Sequence, residues 1–165
     1  MSKINVEDKT IAVISVNEND YISLTDMVKN IENGLSLIEK WMRNKNTIEF
    51  LGIWEEMYNP KFNSLEFGGI RNEAGTNRFL LSAKQWIEKT KAIGIIAKTG
   101  RYGGTFAHKD IAFEFASWIS PQFKLLNAVF IDKGLSQEQR LLELNKVAIQ
   151  QMKVLEDVSE RVLLK

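Results

Sequence analysis

What this sequence lacks excludes several classes of protein. Its 165 residues include no cysteine, which excludes disulfides, a thiolate nucleophile and a cysteine-ligated metal site. The N-terminus lacks the apolar core of a signal peptide, and no apolar run is long enough to span a bilayer. The nucleotide-binding patterns GxxxxGKS/T and GxGxxG are also missing. We therefore expect a soluble intracellular protein without a cofactor.

The scarcity of histidine argues against an enzyme. His108 is the only histidine. It could form a metal site with Asp110 and Glu114, which share a helix face. A simpler interpretation makes Asp110 a first-turn acid favoured by the helix dipole, and His108 a structural residue before that helix. Glu55 and Glu56 point to different sides of a helix and make a poor acid–base pair. We predict no catalytic site and no bound metal.

The net charge of +1 conceals a strong segregation of charge along the chain. Residues 1–39 carry three lysines against seven acids, whereas residues 40–47 carry three basic residues and no acid. Residues 82–109 carry six basic residues and one acid. For nucleic-acid binding this distribution matters more than the total. The two basic segments are therefore candidate contacts for a nucleic acid.

The N-terminal third predicts short strands followed by a helix. β-Branched residues dominate the strands, and polar clusters separate them. The predicted elements are a hairpin of residues 4–6 and 10–16 with its turn at Asp8-Lys9, a strand at 21–23, and a helix that begins at Ser23 or Thr25, continues to about Ile31 and stops at Asn33-Gly34.

Helical spacing of apolar residues predicts two further helices in the middle of the chain. The first contains Leu35, Ile38, Trp41 and Met42. The second is predicted to start at Asn46, which forms a capping box with Glu49, and to end at Asn59-Pro60. Its predicted apolar face consists of Phe50, Leu51, Trp54, Met57 and Tyr58.

The remaining elements are predicted with the same signals. Gly68-Gly69 make residues 62–74 either a short helix or an irregular segment. The elements after it are a strand at 78–81, a helix capped by Ser82 that ends near Gly94, a helix opened by Asp110, a unit from Pro121 that Gly134 ends, and an amphipathic helix over 137–164.

The first basic segment crowds the start of a predicted helix. Backbone N–H groups at a helix N-terminus favour anions, and arginine and asparagine suit base edges in a major groove. The alternative is a solvated polar linker between two helices. The candidate DNA-binding residues here are Arg43, Asn44, Lys45, Asn46 and Thr47.

The second basic segment contains three glycines within five positions, at 100, 103 and 104. Such a run needs positive φ or a close approach of the backbone. Strand-like residues flank it, so it predicts a hairpin that grips a phosphate backbone as a wing. The alternative is an ordinary tight turn with a solvated arginine. The candidate residues are Lys91, Lys98, Thr99, Arg101, Tyr102, Gly103 and Gly104.

Several runs in residues 21–131 resemble the KilA-N family and occur in the expected order. The glycine turn followed by Trp-x-Ser-Pro-x-Phe is the most specific of these motifs. The matching runs are YISLTDM at 21–27, IEKWMRN at 38–44, NTIEFL at 46–51, WI at 86–87, AIGI at 92–95, GRYGGTFAHKD at 100–110 and FEFASWISPQF at 113–123.

The resemblance implies a DNA-binding module of phages and large DNA viruses, related to the fungal APSES domain. It implies an α+β, winged helix-turn-helix-type fold with a small β-sheet. Residues 21–31 would then form the support helix, Arg43 to Thr47 would begin the DNA-facing helix, and Lys98 to Gly104 would be the wing.

We accordingly divide the chain into an N-terminal hairpin at 1–20, a KilA-N domain at 21–134 and a C-terminal helix at 135–165. The predicted function is sequence-specific or structure-preferring double-stranded DNA binding by a phage-type transcriptional regulator, with no membrane partner. The resemblance implies a location in the cytoplasm of a bacterial or infected host cell, where the protein could associate with the nucleoid. The C-terminal helix either docks on the core of the KilA-N domain or joins two copies in a homodimer. The alternative is an antirepressor-type module that captures a protein through this helix.

Overall fold

The structure, a computed structural model, describes residues 2–6, 9–29, 31–101, 103–120, 128–136, 139–140 and 143. These residues form an α+β domain. Its strands are β1 (Ser2–Val6), β2 (Lys9–Val16), β3 (Asn19–Ser23), β4 (Ile95–Lys98) and β5 (Gly104–His108). Its helices are α1 (Leu24–Val28), α2 (Gly34–Arg43), α3 (Lys45–Tyr58), α4 (Ser64–Glu73), α5 (Ala83–Thr90) and α6 (Lys109–Ile119).

The strands form one antiparallel sheet in the order β1-β2-β3-β5-β4. The predicted N-terminal hairpin is confirmed, although Lys9 belongs to β2 and Asp8 lies outside the described residues. Between β2 and β3, Asn17 and Glu18 have φ of 51° and 65°, as a two-residue type I′ turn requires. The pair of Tyr21 with His108 joins β3 to β5.

The helices bury one face of the sheet. Ile11, Ile22 and Ile95 contribute from the strands to the same apolar cluster as the helices. Its largest fully buried side chains include Trp41, Trp86 and Phe115, from α2, α5 and α6. The Trp41 and Phe115 rings meet edge to face with centroids 5.0 Å apart. This contact packs α2 against α6.

The first three helices differ in their ends from the predictions. Ser23 caps α1 as predicted, but the helix ends at Val28 rather than near residue 31. The predicted stop at Asn33-Gly34 lies beyond this end: Asn33 has the expected left-handed φ of 56°, but it caps α2, which begins at Gly34. A Cβ on Gly34 would overlap the Val28 carbonyl oxygen. The predicted capping box of Asn46 is wrong, because α3 begins one residue earlier, after Asn44.

The predicted apolar faces of these two helices are too wide. Leu35 at the start of α2 is exposed, as are Met57 and Tyr58 at the end of α3. Helical spacing alone does not tell which side of a short apolar stripe meets the core. The end of α3 at Asn59, by contrast, is confirmed.

Residues 62–82 contain the largest local difference. Residues 64–73 form a regular helix, α4, despite the two glycines inside it. The strand predicted at 78–81 is absent among these described residues. Phe79 and Leu81 are buried while Leu80 between them is exposed. This alternation of buried and exposed residues, which resembles that of a strand, occurs here in a segment without regular secondary structure.

The later helices begin where the sequence predicts. Ser82 caps α5 with Gln85 in a capping box, and α6 starts beside Asp110. α5 ends earlier than predicted, because Lys91 takes a left-handed φ of 57°. No described helix has the length and apolarity needed to cross a membrane.

Near the C-terminus, residues 128–132 are helical and Gly134 follows them with φ of 76°, as a helix stop requires. Residues 121–127 lie outside the described part of the chain. Of the helix predicted at 137–164, only residues 139–140 and 143 are described.

Candidate nucleic-acid interface

The junction of α2 and α3 forms one wall of a polar groove of about 480 Å³, which we call the α3 groove. A single residue, Asn44, separates the two helices. The opposite wall is the segment that follows α4. The lining residues are Lys40, Arg43, Asn44, Lys45, Asn46, Gly75, Thr76 and Asn77. Three of these side chains are basic and none is acidic, so the groove favours an anionic ligand.

The second wall is held in place by Arg43. Its Nε–H donates a hydrogen bond of 3.2 Å to the carbonyl oxygen of Phe79. Ala74 and Phe79 are buried at the two ends of the segment, and Thr76 donates from its hydroxyl to the carbonyl of Glu73 at 2.9 Å. Arg43 therefore positions this wall in addition to carrying charge.

This wall was not predicted from the sequence, where residues 78–81 were assigned to a strand. The available signal was the polar run Gly75-Thr76-Asn77-Arg78, which is typical of a turn. Gly75 indeed has a left-handed φ of 86°.

The five residues predicted in the first basic segment do not all face the groove. Lys45 and Asn46 are exposed at the start of α3, and the Asn44 amide is 3.3 Å from the Lys40 carbonyl. Thr47 is buried and lines another cavity, with Trp41 and Trp118 among its neighbours. Its position two residues after Lys45 turns it toward the opposite side of the helix.

β4, β5 and the turn between them, which we call the glycine hairpin, carry most of the second predicted set. Gly100 and Gly104 have φ of 100° and 149°. Gly103 has no positive φ, but a Cβ on it would overlap the Lys98 carbonyl oxygen. Both reasons for glycine that the sequence suggested therefore apply, at different positions.

The glycine hairpin is fastened to α1 next to its turn, where Lys98 pairs with Gly104. The backbone N–H of Thr105 donates to the Thr25 hydroxyl at 2.9 Å, and a Cβ on Gly104 would lie 2.9 Å from the same oxygen. The Lys98 ammonium lies 5.7 Å from the centre of the Phe106 ring, within cation–π range. Thr99 and Arg101 are exposed, and Tyr102 lies outside the described residues.

Lys91 is remote from the α3 groove. Its carbonyl accepts a hydrogen bond of 2.9 Å from Asn59, the residue that ends α3. The groove lies at the other end of that 14-residue helix, about 21 Å away. The structure thus brings Arg43, Asn44, Lys45 and Asn46 together and separates Lys91 from them.

A buried carboxylate connects α3 to the glycine hairpin. Glu55 is 1% exposed and accepts hydrogen bonds from the backbone N–H groups of Ile93, at 2.9 Å, and Gly94, at 2.7 Å. Its other oxygen accepts from the Asn59 amide at 2.9 Å. Burial raises the pKa of Glu55, and these hydrogen bonds oppose that rise. Nothing in the sequence analysis indicated that Glu55 rather than Glu56 would be the buried residue.

His108 caps α6. Its Nδ1 accepts from the backbone N–H of Asp110 at 3.2 Å, so the ring proton resides on Nε2, which lies 3.2 Å from Asn19 Oδ1. Burial lowers the pKa of His108, and the Asp110 charge opposes this. The Asp110 carboxylate also accepts from the Trp54 indole at 3.3 Å. Among the described residues, no three His, Cys, Asp or Glu side chains are grouped to hold a metal ion.

Comparison with known proteins identifies the family. The KilA-N domain model matches residues 4–136, a span that includes the N-terminal hairpin. Protein kilA of Escherichia phage P1 is 53% identical over 57 residues, which are 32% of this chain and 21% of the phage protein. The similarity to that relative thus covers only about a fifth of its length. No solved structure matches the chain. The chain belongs to the KilA-N family, whose members are commonly DNA-binding domains of phage and viral proteins.

Proposed function

We propose that this chain is a double-stranded DNA-binding transcriptional regulator of the phage type. The observation that carries the proposal is the α3 groove, where three basic side chains meet three asparagines without an acidic lining residue. Cations bind phosphates and fix the register of a protein on a duplex, whereas amides read base edges. A groove that combines the two suits a sequence-reading surface.

The proposed roles follow from where each side chain lies. Lys40 and Lys45 neutralise phosphates at the rim of the groove, while Asn46 reaches a base edge from the first turn of α3. Arg43 holds the opposite wall in register with the helix. The glycine hairpin acts as a wing that brings Arg101 close to the backbone, because its small residues permit a near approach.

Titration of the full chain against duplex DNA at several salt concentrations tests the proposal. We expect log K to fall linearly with log salt, with a slope equivalent to about four to eight phosphate contacts. Selection from a random duplex library would then supply the preferred site. Lys45→Gln should reduce the slope by about one unit. Lys61→Gln, three residues beyond the far end of α3, should leave the slope unchanged. A flat salt response of the native chain would contradict the proposal.

The proposal also includes homodimerisation through the C-terminal residues. The apolar stripe of residues 137–164, which the sequence analysis identified, supports pairing of two copies. Removal of the chain after Gly134 should then yield a monomer that loses more affinity for paired half-sites than for single ones. Light scattering that finds the full chain monomeric at micromolar concentration would contradict pairing.

A further inference from the structure

A second basic groove, of about 520 Å³, lies between the glycine hairpin and the N-terminal part of the sheet. Its lining includes Arg101 and Gly103 from the hairpin, Lys3 from β1 and Lys29 at the end of α1. We call it the hairpin groove. Residues 1–39 have a net charge of −4, so the charge pattern of the sequence pointed away from this region. Only the fold brings these three cations, distant in sequence, to one place.

Specific contacts assemble the hairpin groove. Lys3 is opposite Ala12 in the β1–β2 pair, which sets β1 at the edge of the sheet. The Lys29 ammonium donates to the Thr10 carbonyl at 3.3 Å, so α1 and β2 converge there. The hydrogen bond from Thr105 to Thr25 joins the glycine hairpin to α1. The positions of the three cations are therefore linked through backbone and side-chain contacts.

One acid, Asp26, also lines the hairpin groove, and its interactions limit its effect on the charge. One carboxylate oxygen accepts from the Ala12 backbone N–H at 2.8 Å. The other lies 3.8 Å from the Lys29 ammonium. Asp26 therefore orients Lys29 and fastens α1 to β2. With three cations against one carboxylate, the described lining keeps a net positive charge.

We propose that the hairpin groove holds the phosphate backbone of duplex DNA, so that Lys3 and Lys29 extend the contact surface of the glycine hairpin onto β1 and α1. The inference rests on the proposed function, because Arg101 belongs to both the hairpin and this groove. A backbone segment bound by Arg101 comes within the same groove as the two lysines. Lysine acts on phosphate as a flexible point charge and reads no sequence. The contribution is therefore the same for every duplex.

The test is a salt titration of full-length variants against the selected site and a scrambled duplex. Lys3→Gln and Lys29→Gln should each weaken both complexes about 3- to 10-fold at moderate salt and reduce the slope by about one unit. Lys29→Arg should retain native affinity because it keeps the charge. Lys61→Gln serves as the matched control, since that exposed lysine belongs to neither groove. A thermal melt of each variant confirms that it is folded.

The outcomes distinguish this inference from the function on which it rests. If Arg101→Ala lowers the salt slope while Lys3→Gln and Lys29→Gln leave it at the native value, the glycine hairpin binds DNA and the proposal for the hairpin groove is wrong. If Lys29→Arg is as weak as Lys29→Gln, the effect is structural and the proposal is again overturned. If the native chain shows no salt-dependent duplex binding, both proposals fail.

Discussion

The Glu55 carboxylate lies 2.7 Å from the backbone nitrogen of Gly94 and accepts its hydrogen. Glu55 belongs to α3, whose first turn lines the α3 groove, and Gly94 immediately precedes β4 of the glycine hairpin. A Cβ on Gly94 would lie 2.5 Å from Ile111 Cδ1, 2.9 Å from Trp54 Cζ3 and 3.0 Å from a Glu55 oxygen, so glycine permits this close packing. The two candidate DNA-binding elements are therefore connected through one buried side chain.

Glu55→Ala should strongly destabilise the fold. It leaves the N–H groups of Ile93 and Gly94 and the Asn59 amide without their acceptor, at a cost of about 2–4 kcal/mol in the free energy of unfolding. Its neighbour Glu56 is exposed, so Glu56→Ala should change that free energy by less than about 0.5 kcal/mol. Urea denaturation of both variants measures the difference. Equal losses would show that the Glu55 contacts contribute nothing specific.

Acidification should destabilise the protein through His108. Burial lowers the pKa of His108, so the unfolded chain binds the proton first as the pH falls below about 6.5. The stabilisation is complete above that pH and is lost as the pH falls through the folded-state pKa. Protonation of Nδ1 would also remove the acceptor that caps α6.

Comparison with His108→Asn isolates this titration, since asparagine can cap a helix and does not ionise. Glu55 acts in the opposite direction, because burial raises the pKa of Glu55 and its stabilisation is lost as the pH rises from about 4.5. Glu55 titrates in both proteins, so its effect cancels in the comparison. Between pH 7.5 and 5.5 the native protein should lose more stability than His108→Asn, so the difference between their free energies of unfolding should shrink. Parallel pH curves would contradict the assignment.

Arg43→Lys should separate the charge of Arg43 from its contact with Phe79. Lysine keeps the charge but has no Nε–H group to donate to the Phe79 carbonyl oxygen. We expect a native salt slope and a free energy of unfolding lower by about 0.5–1.5 kcal/mol. Arg43→Ala should show the same instability and lose about one unit of slope as well. A native melt for Arg43→Lys would mean that the hydrogen bond does not hold the groove wall.

Gly103→Ala should distort the glycine turn. The added Cβ would overlap the Lys98 carbonyl, so we expect a loss of about 1–3 kcal/mol in stability and weaker duplex binding. Gly69→Ala is the control: nothing lies within 4 Å of a Cβ at that position in α4, and alanine should stabilise the helix by about 0.4–1 kcal/mol. A native melt for Gly103→Ala would show that the turn can adjust.

Local signals predicted the elements that local interactions determine. Ser82 and Gln85 form their capping box within four residues, and the glycines at 100–104 fix their own turn. The positions of α5 and the glycine hairpin could therefore be predicted from the sequence. The glycine hairpin is one of the two candidate DNA-binding elements. Thr47 was assigned to the site because it neighbours Lys45 in sequence, whereas the helix turns the two side chains apart.

Features that depend on distant contacts were not predictable in this way. The second wall of the α3 groove depends on the hydrogen bond from Arg43 to the carbonyl of Phe79, 36 residues away. The hairpin groove needs β1, α1 and the glycine turn to meet. The sequence did not distinguish Glu55 from Glu56 as the buried residue. Only the fold places the backbone N–H groups of Ile93 and Gly94 beside Glu55.

The pairing of β3 with β5 has a consequence for how the chain folds during synthesis. Tyr21 and His108 are neighbours in the sheet, yet 86 residues separate them along the chain. Until β5 has left the ribosome, β3 presents an unpaired edge, which is a hazard for aggregation. A fragment that ends before Gly104 should therefore be degraded by protease where the full chain resists. Non-local pairing of this kind also slows folding. Synthesis of β5 therefore determines when the edge of β3 is covered and the risk of misassembly falls.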